Sequence, residues 1–169
     1  RAQASHRVIL SFAAVGHGTC VLLELPDGRT LMYDAGRMGS ARSAARPICA
    51  LLWARRVHHV DALVLSHADV DHFNATPTIL ERFSVGAVYV SPVMFRDSPP
   101  ALNHLRETIE QSDVPLMYLG ESARLDAGPR VSIEVLHPPP EGSGAGDNAD
   151  SIVLLSRAFD RTFLIPGDL

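Results

Sequence analysis

Two imidazoles and two carboxylates fall within six residues of one segment, His67-Ala68-Asp69-Val70-Asp71-His72. The segment directly follows an apolar run over residues 62–66, which predicts a buried β-strand. Ionisable groups are costly to gather at the end of a buried strand, and a divalent cation is the usual compensation for their charge. The pattern therefore predicts a metal site. The alternative is a chance cluster on the surface.

The spacing of these side chains favours two ions over one. His67, Asp69 and Asp71 alternate, so they share one side of an extended chain, and a helix beginning near Asp71 brings His72 to the same centre. We expect His67 and Asp69 to hold one ion and Asp71 and His72 to hold the other. Two divalent ions about 4 Å apart activate water and stabilise attacking and leaving oxygens. This is hydrolytic chemistry, with Asp71 as the candidate catalytic residue.

Strand, turn and helix signals around the cluster predict an α/β sandwich with mixed sheets. Three early strands and a Pro-Asp-Gly turn predict a β-meander over residues 8–15, 20–25 and 29–33. Further strands are predicted over residues 61–66, 87–90, 116–119, 130–136, 152–155 and 162–165. Helices are predicted from Pro47 to Arg56, with proline at the first position, and over residues 75–83 and 103–111. Trp53 is expected to pack in the core, and residues 138–150 form a loop.

Composition indicates one globular domain. The chain has 169 residues, 46% of them hydrophobic, which is enough for one compact core. No apolar run approaches the roughly 20 residues that span a bilayer. Residues 1–6 are expected to be a linker and residues 7–169 an incomplete, C-terminally truncated domain of a longer polypeptide. Cys20 and Cys49 are expected to be buried free thiols, although a disulfide remains open.

Basic residues are unevenly distributed. All 15 are arginine, and the net charge is −4. The stretch from residue 35 to residue 60 contains no acidic residue, and its arginines are Arg37, Arg42, Arg46, Arg55 and Arg56. Such an island can bind phosphates even on an acidic protein. Arg37, Arg42 and Arg46 are the substrate-binding candidates, and an ordinary solvated helix face is the equal alternative.

Three motifs in the same order resemble the metallo-β-lactamase superfamily. The metal-site segment resembles its HxHxDH motif, Asp34-Ala35-Gly36 its upstream Asp-x-Gly element, and Gly167-Asp168 its later Gly-Asp element. The resemblance implies an αββα sandwich that holds divalent ions, two in number. It further implies metal ligands at His67, Asp69, Asp71, His72 and Asp168, with Asp168 bridging the ions. Asp34 would support the site.

Other segments are similar to the hydrolase domain of ComEC-type competence proteins, which internalise DNA. They are Phe12 to Gly18, Leu25 to Thr30 with Tyr33 to Gly36, Val64 to His67, Val135 to Pro139 and Asn148 to Ser151. This similarity implies a phosphodiesterase or nuclease acting on DNA during uptake, beside membrane-channel domains of the same polypeptide. Its location would be the extracytoplasmic face of the inner membrane, or the cytoplasm if the chain lies outside this group.

The chain departs from the family pattern at several positions. Ala14 replaces an aspartate, His17 a glutamine and Asn74 a glycine, and the last histidine ligand of the family would lie beyond Leu169. Asp69 replaces an imidazole with a hard carboxylate, which shifts preference from Zn²⁺ toward Mn²⁺ or Mg²⁺, although zinc also accepts carboxylates.

Two further functions remain open from the sequence. One is hydrolysis of an acyl or thioester substrate, and the other is a degenerate module that binds metal and nucleic acid without catalysis. His137, Asn148 and Asp150 are additional candidates for metal ligands. His17 is interpreted as a turn residue, with substrate contact as the alternative.

Overall fold

The computed structural model describes residues 7–97 and 99–169, so the expected linker over residues 1–6 lies outside the described part. Four helices are described: α1 (Ala41–Ala54), α2 (Val70–Phe73), α3 (Thr76–Arg82) and α4 (Pro100–Gln111). The strands are β1 (Ile9–Phe12), β2 (Val21–Glu24), β3 (Thr30–Tyr33), β4 (His59–Val60), β5 (Ala62–Val64), β6 (Ser84–Val85), β7 (Val88–Val90), β8 (Leu116–Tyr118), β9 (Arg124–Leu125), β10 (Val131–His137), β11 (Val153–Ala158) and β12 (Arg161–Ile165). Among these helices, none has the length and apolar character that a membrane span requires.

Two sheets form the framework. The larger has six strands in the order β1-β2-β3-β5-β7-β8. Its first two pairings are antiparallel and its last three are parallel. The smaller has four antiparallel strands in the order β12-β11-β10-β9, and β4 pairs with β6 as a short parallel ribbon. The expected α/β fold with mixed sheets is therefore confirmed.

Alternate side chains of the larger sheet enter different cores, because successive residues of a strand face opposite sides. One core joins this sheet to the helices through Leu22, Met32, Leu63, Val88, Ile48, Leu52, Ile79, Leu105 and Ile109. The other joins it to the smaller sheet through Val21, Leu23, Tyr33, Val64, Ile133, Val135, Leu154 and Ile165. The described residues thus form helix, sheet and sheet layers. They place no helix on the outer face of the smaller sheet, where Leu136 and Leu164 are exposed.

Helix α1 differs from its sequence-based prediction at both Pro47 and Trp53. Ser40 caps the helix by accepting a hydrogen bond from the Ser43 amide at 3.2 Å, so α1 begins six residues before Pro47, which lies inside it. Trp53 is 51% exposed, and its ring centroid lies 6.0 Å from that of Phe83. The expectation of a core tryptophan is wrong, because α1 turns Ile48 toward the sheet and Trp53 toward solvent. Both cysteines are buried and free.

The predicted metal-site segment lies where β3 and β5 end. These strands are parallel, so their carboxyl ends meet at one edge of the sheet. The chain leaving β3 approaches α2 closely: the Ala35 amide donates to the His72 carbonyl at 2.8 Å, and the Ala75 amide donates to the Ala35 carbonyl at 2.8 Å. A Cβ at Gly36 would lie 2.6 Å from the His72 nitrogen. Only glycine fits this crossing.

Gly36→Ala should therefore destabilise the fold by about 1–3 kcal/mol, because backbone must move to admit one methyl group. Urea denaturation measures the change. Gly120→Ala is the matched control: a Cβ there would meet nothing closer than 3.5 Å, at Pro92 Cγ. Its stability should stay within about 0.5 kcal/mol of the parent. Equal stabilities for the two variants would contradict the close approach at Gly36.

Candidate metal centre

A buried carboxylate organises the centre. Asp34 is fully buried and directly follows β3, with a φ of 59°. It accepts hydrogen bonds from the Ser66 amide at 2.7 Å, the Ser66 hydroxyl at 2.8 Å and His72 Nδ1 at 2.8 Å. A carboxylate only accepts, so His72 carries its proton on Nδ1. Nε2 of His72 is left to face the centre.

The same carboxylate acts on His67 through Ser66. Because the Ser66 hydroxyl gives its hydrogen to Asp34, it accepts from His67 Nδ1 at 2.9 Å. Ser151 Oγ also lies 3.2 Å from this nitrogen. His67 is 1% exposed, and its Nε2 is buried without a hydrogen-bond partner among the described residues. Such an orphaned atom costs about 1–3 kcal/mol, and a metal ion would satisfy it.

Three carboxylates face the two imidazoles. Asp69 Oδ2 lies 3.4 Å from His67 Nε2, while Asp168 Oδ2 and Asp71 Oδ2 lie 3.5 Å and 4.0 Å from His72 Nε2. Asp69 begins α2 without using its side chain as a cap, which leaves the carboxylate directed at His67. Donors bound about 2.1 Å from one tetrahedral ion stand about 3.4 Å apart. These residues therefore fit divalent metal.

Both sheets contribute to the donor set. His67, Asp69, Asp71 and His72 follow β5, whereas Asp168 follows β12 of the smaller sheet. One donor atom from each of His67, His72 and Asp168 lies within 4.8 Å of the others. The structure thus places all five predicted ligands together. Asp69 is the carboxylate next to His67, whereas Asp168 lies nearer to His72 than Asp71 does, so the assignment of ligands to two ions stays a prediction.

The two imidazoles differ in proton affinity although their centroids are only 4.1 Å apart. Burial lowers the pKa of His67, and the neighbouring charge on His72 lowers it further. Burial also acts to lower the pKa of His72, but the hydrogen bond and charge of Asp34 outweigh it, so this pKa is raised above 6.5. Without metal, His72 therefore binds a proton more readily than His67. Below the raised pKa of His72, a metal ion must displace a proton from this ring.

The additional ligand candidates lie outside this group. His137 Nε2 donates to the Ala149 carbonyl at 2.7 Å, which occupies the ring nitrogen. Asp150 accepts from the Ser143 amide within its own loop. Asn148 begins a short 3₁₀ turn next to Asp150. These contacts indicate that all three residues shape the loop before β11.

The substrate-binding candidates occupy two environments. Arg42 and Arg46 are exposed on α1. Arg37 is half-buried, its Nε is enclosed without a hydrogen-bond partner in the described residues, and its backbone is bonded on both sides by the amide of Asn74. Arg55 Nε donates to Glu24 Oε2 at 2.6 Å. The carboxylate offsets the charge of Arg55, so this arginine does not add to the expected basic island. Asn74, which replaces a glycine of the family pattern, therefore holds the loop after β3.

Ser66, Ser151 and His17 were not predicted as parts of the centre. Ser66 and Ser151 hold His67, and His17 Nε2 lies 3.4 Å from Asp71 Oδ2. Ser66 immediately precedes the first histidine, which is the one sequence signal that could have pointed to it. Ser151 and His17 are distant in sequence, so only the fold brings them here.

Comparison with protein families agrees with this geometry. The model of the metallo-β-lactamase superfamily matches residues 13–156. The chain belongs to the metallo-β-lactamase superfamily. Members of this superfamily are mostly metal-dependent hydrolases, and their fold implies divalent metal ions. A search of curated proteins finds no match to this chain.

Several solved structures share the fold at low identity. The diiron β-hydroxylase CmlA from Streptomyces venezuelae is 22% identical with a TM-score of 0.57, over 94% of this chain and 29% of that one. Zn²⁺-bound PqqB from Methylobacterium extorquens is 12% identical with a TM-score of 0.59, over 88% and 52%. A metallo-β-lactamase with a HARLDQ motif from Cronobacter sakazakii is 16% identical with a TM-score of 0.57, over 96% and 63%. The chain thus spans less than two thirds of each of these proteins.

Asp34→Asn should weaken metal binding about 10- to 100-fold at pH 7.5, because His72 loses the partner that orients it. Calorimetry with Mn²⁺ and Zn²⁺ measures the affinities. In the parent, affinity should fall as the pH drops through the raised pKa of His72, because protons then compete with metal. In the variant this fall should begin at lower pH.

The pH dependence of the free energy of unfolding provides a second test of the pair formed by Asp34 and His72. Protonated His72 stabilises the metal-free fold fully below pH 6.5, and this contribution is lost as the pH rises through the raised pKa. Asp34→Asn should reduce that dependence. Asp126→Asn, whose carboxylate is exposed and pairs with Arg29, is the control. Identical affinities and pH profiles in the parent and Asp34→Asn would refute the role of Asp34.

Proposed function

We propose that this protein is a metal-dependent phosphodiesterase that hydrolyses DNA. The supporting observation is the donor set itself, in which three carboxylates, Asp69, Asp71 and Asp168, accompany two imidazoles. Carboxylate-rich sites favour hard cations such as Mn²⁺ and Mg²⁺, which are also the cations that phosphate oxygens prefer. Zn²⁺ remains compatible with two imidazoles. The resemblance to ComEC-type domains supports the same substrate.

Access to the centre supports a polymeric substrate. The side chains of Asp69 and Asp168 are 45% and 43% exposed, although the imidazoles behind them are buried. The donors therefore line an open edge of the sandwich. A phosphodiester in the middle of a long chain can reach such an edge without threading an end into a closed pocket.

A basic groove between α1 and α3 supports DNA as that polymer. Arg42 and Arg46 stand one helical turn apart, and Arg82 lies across the groove from them. Glu81 offsets one of these three charges. Exposed Trp53 lies farther along the same groove, where its ring can stack on a base. The loop that leads into α1 is bonded to the segment after α2, since Asn74 Nδ2 donates to the Gly39 carbonyl at 3.1 Å.

The chain's own residues then have distinct roles. When bound, two ions supply Lewis-acid stabilisation of the phosphate and activation of water. Asp34 and Ser66 hold both imidazoles in the tautomer that binds metal. Asp71, 13% exposed, is the candidate catalytic residue at the mouth of the centre. Arg42 and Arg46 hold phosphates without reading sequence, which suits an enzyme that accepts any DNA.

We extend the proposal to the cellular setting that the ComEC resemblance implies. The domain would act on incoming DNA at the extracytoplasmic face of the inner membrane, next to channel domains of the same polypeptide. Hydrolysis of an acyl or thioester substrate and metal binding without catalysis are the competing outcomes. Substrate assays separate all three.

The full-length protein, which is expected to include the family's last histidine ligand, should cleave single- and double-stranded DNA in the presence of Mn²⁺, and Asp71→Asn in that protein should reduce the rate at least 100-fold. Gel analysis of end-labelled DNA measures cleavage. Asp160→Asn, an exposed carboxylate between β11 and β12, should leave the rate unchanged. Thioester cleavage without DNA cleavage would identify the acyl alternative. Metal binding without either activity would identify the degenerate module.

Replacing Arg42 and Arg46 by alanine should weaken DNA binding and flatten its salt dependence. Each lost phosphate contact should reduce the slope of log K against log salt by about 0.7–0.9. Fluorescence anisotropy at several salt concentrations, with Ca²⁺ to prevent cleavage, gives the slopes. Arg161→Ala removes an exposed arginine from the smaller sheet and serves as the control. Parallel slopes for all variants would mean that DNA binds elsewhere.

A further inference from the structure

We propose that His17 is a sixth metal ligand, which binds through Nε2 the ion held by Asp71 and His72. The inference rests on the metal centre of the proposed function and assigns a residue outside the five expected ligands. His17 lies in the turn between β1 and β2, far in sequence from the other donors. Its Nε2 lies 3.4 Å from Asp71 Oδ2, on the open side of the centre.

The backbone fixes this position. The turn is formed by Gly16 and Gly18, with φ values of 86° and 123° that favour glycine. The His17 carbonyl accepts from the Met38 amide at 2.7 Å. A Cβ at Gly18 would lie 2.5 Å from the carbonyl oxygen of Asp71. The turn is therefore packed directly against the backbone that carries Asp71, and the juxtaposition does not depend on a flexible side chain alone.

The spacing matches shared coordination. The separation of His17 from Asp71 is longer than a charge-assisted hydrogen bond of about 2.7–2.9 Å. It equals the 3.4 Å between His67 and Asp69 and is close to the 3.5 Å between His72 and Asp168. Each pair is thus spaced like two donors that share one tetrahedral ion, which stand about 3.4 Å apart, with His67 and Asp69 at one ion position and the other two pairs at the second.

His17 would add a nitrogen donor to the ion near Asp71. Among the described residues, Asp71 and His72 are the expected donors to this ion, and Asp71 Oδ2 lies 4.0 Å from His72 Nε2. His17 Nε2, which lies 3.4 Å from the same Asp71 oxygen, adds a third donor. The His17 side chain is 74% exposed, so the ring can rotate toward the ion without displacing packed residues.

The added imidazole makes the two ion positions unequal. The position near Asp69 has one imidazole with carboxylates, whereas the position near Asp71 has two imidazoles. Nitrogen donors favour Zn²⁺ over Mn²⁺ and Mg²⁺. The protein should therefore bind zinc more tightly at the Asp71 position and leave the Asp69 position to a harder cation.

Zinc titration of the full chain tests this assignment. Calorimetry should show two binding events in the parent, and His17→Ala should weaken one of them at least tenfold while leaving the other unchanged. His104→Ala removes an exposed histidine of α4 and should leave both unchanged. In the parent, ¹⁵N NMR should show a large shift of the His17 Nε2 resonance on zinc addition. This readout needs no variant and no catalytic activity.

The outcomes separate the two proposals. Two unchanged affinities in His17→Ala, with an unshifted His17 resonance, would overturn the role of His17 and leave the metal centre intact. Absence of zinc and manganese binding by the parent would overturn both. Loss of one binding event together with the shifted resonance would support His17 as a ligand, whatever substrate the enzyme hydrolyses.

Discussion

The centre depends on the burial of one charge. Asp34 is removed from water at the end of β3, which costs several kcal/mol unless hydrogen bonds replace its hydration. Ser66 and His72 provide three such bonds. These bonds tie together the ends of β3 and β5 and the helix α2. The interaction that makes the buried charge tolerable is thus the one that shapes the metal-binding loop.

The same bonds set the chemistry of both imidazoles. Asp34 acts directly on His72 and through the Ser66 hydroxyl on His67, so that each ring turns Nε2 toward the carboxylates. The consequence is an electrostatic asymmetry: one ring is readily protonated and the other is not. Without an ion and below the raised pKa of His72, the proton on this ring partly offsets the repulsion among Asp69, Asp71 and Asp168. An ion replaces that proton, and its binding energy adds to the stability of the fold.

The two-sheet fold brings to the metal centre residues that the segment after β5 does not contain. Four of the expected ligands come from a single segment after β5, but Asp168 and Ser151 come from the ends of elements in the smaller sheet. The glycines at positions 18 and 36 let two further loops touch the backbone of Asp71 and His72. Ligands from distant parts of the chain are thereby held in place by backbone packing. This arrangement reduces the ordering that metal binding would otherwise require.

The sequence by itself determined the longer strands, most of the helices and the dense ligand segment, because periodicity and local spacing act over a few residues. It did not predict β4, β6 and β9, because a strand of two residues is too short to show a period. It identified Asp34 and Asp168 only through the family resemblance. It placed the start of α1 at Pro47 and buried Trp53, because a proline signal outweighed the Ser40 cap and helical spacing alone does not say which face meets the sheet. Only the tertiary structure brought Ser151 and His17 to the centre and removed Arg55 from the basic island. These contacts join residues far apart in the chain, and no local pattern records such distances.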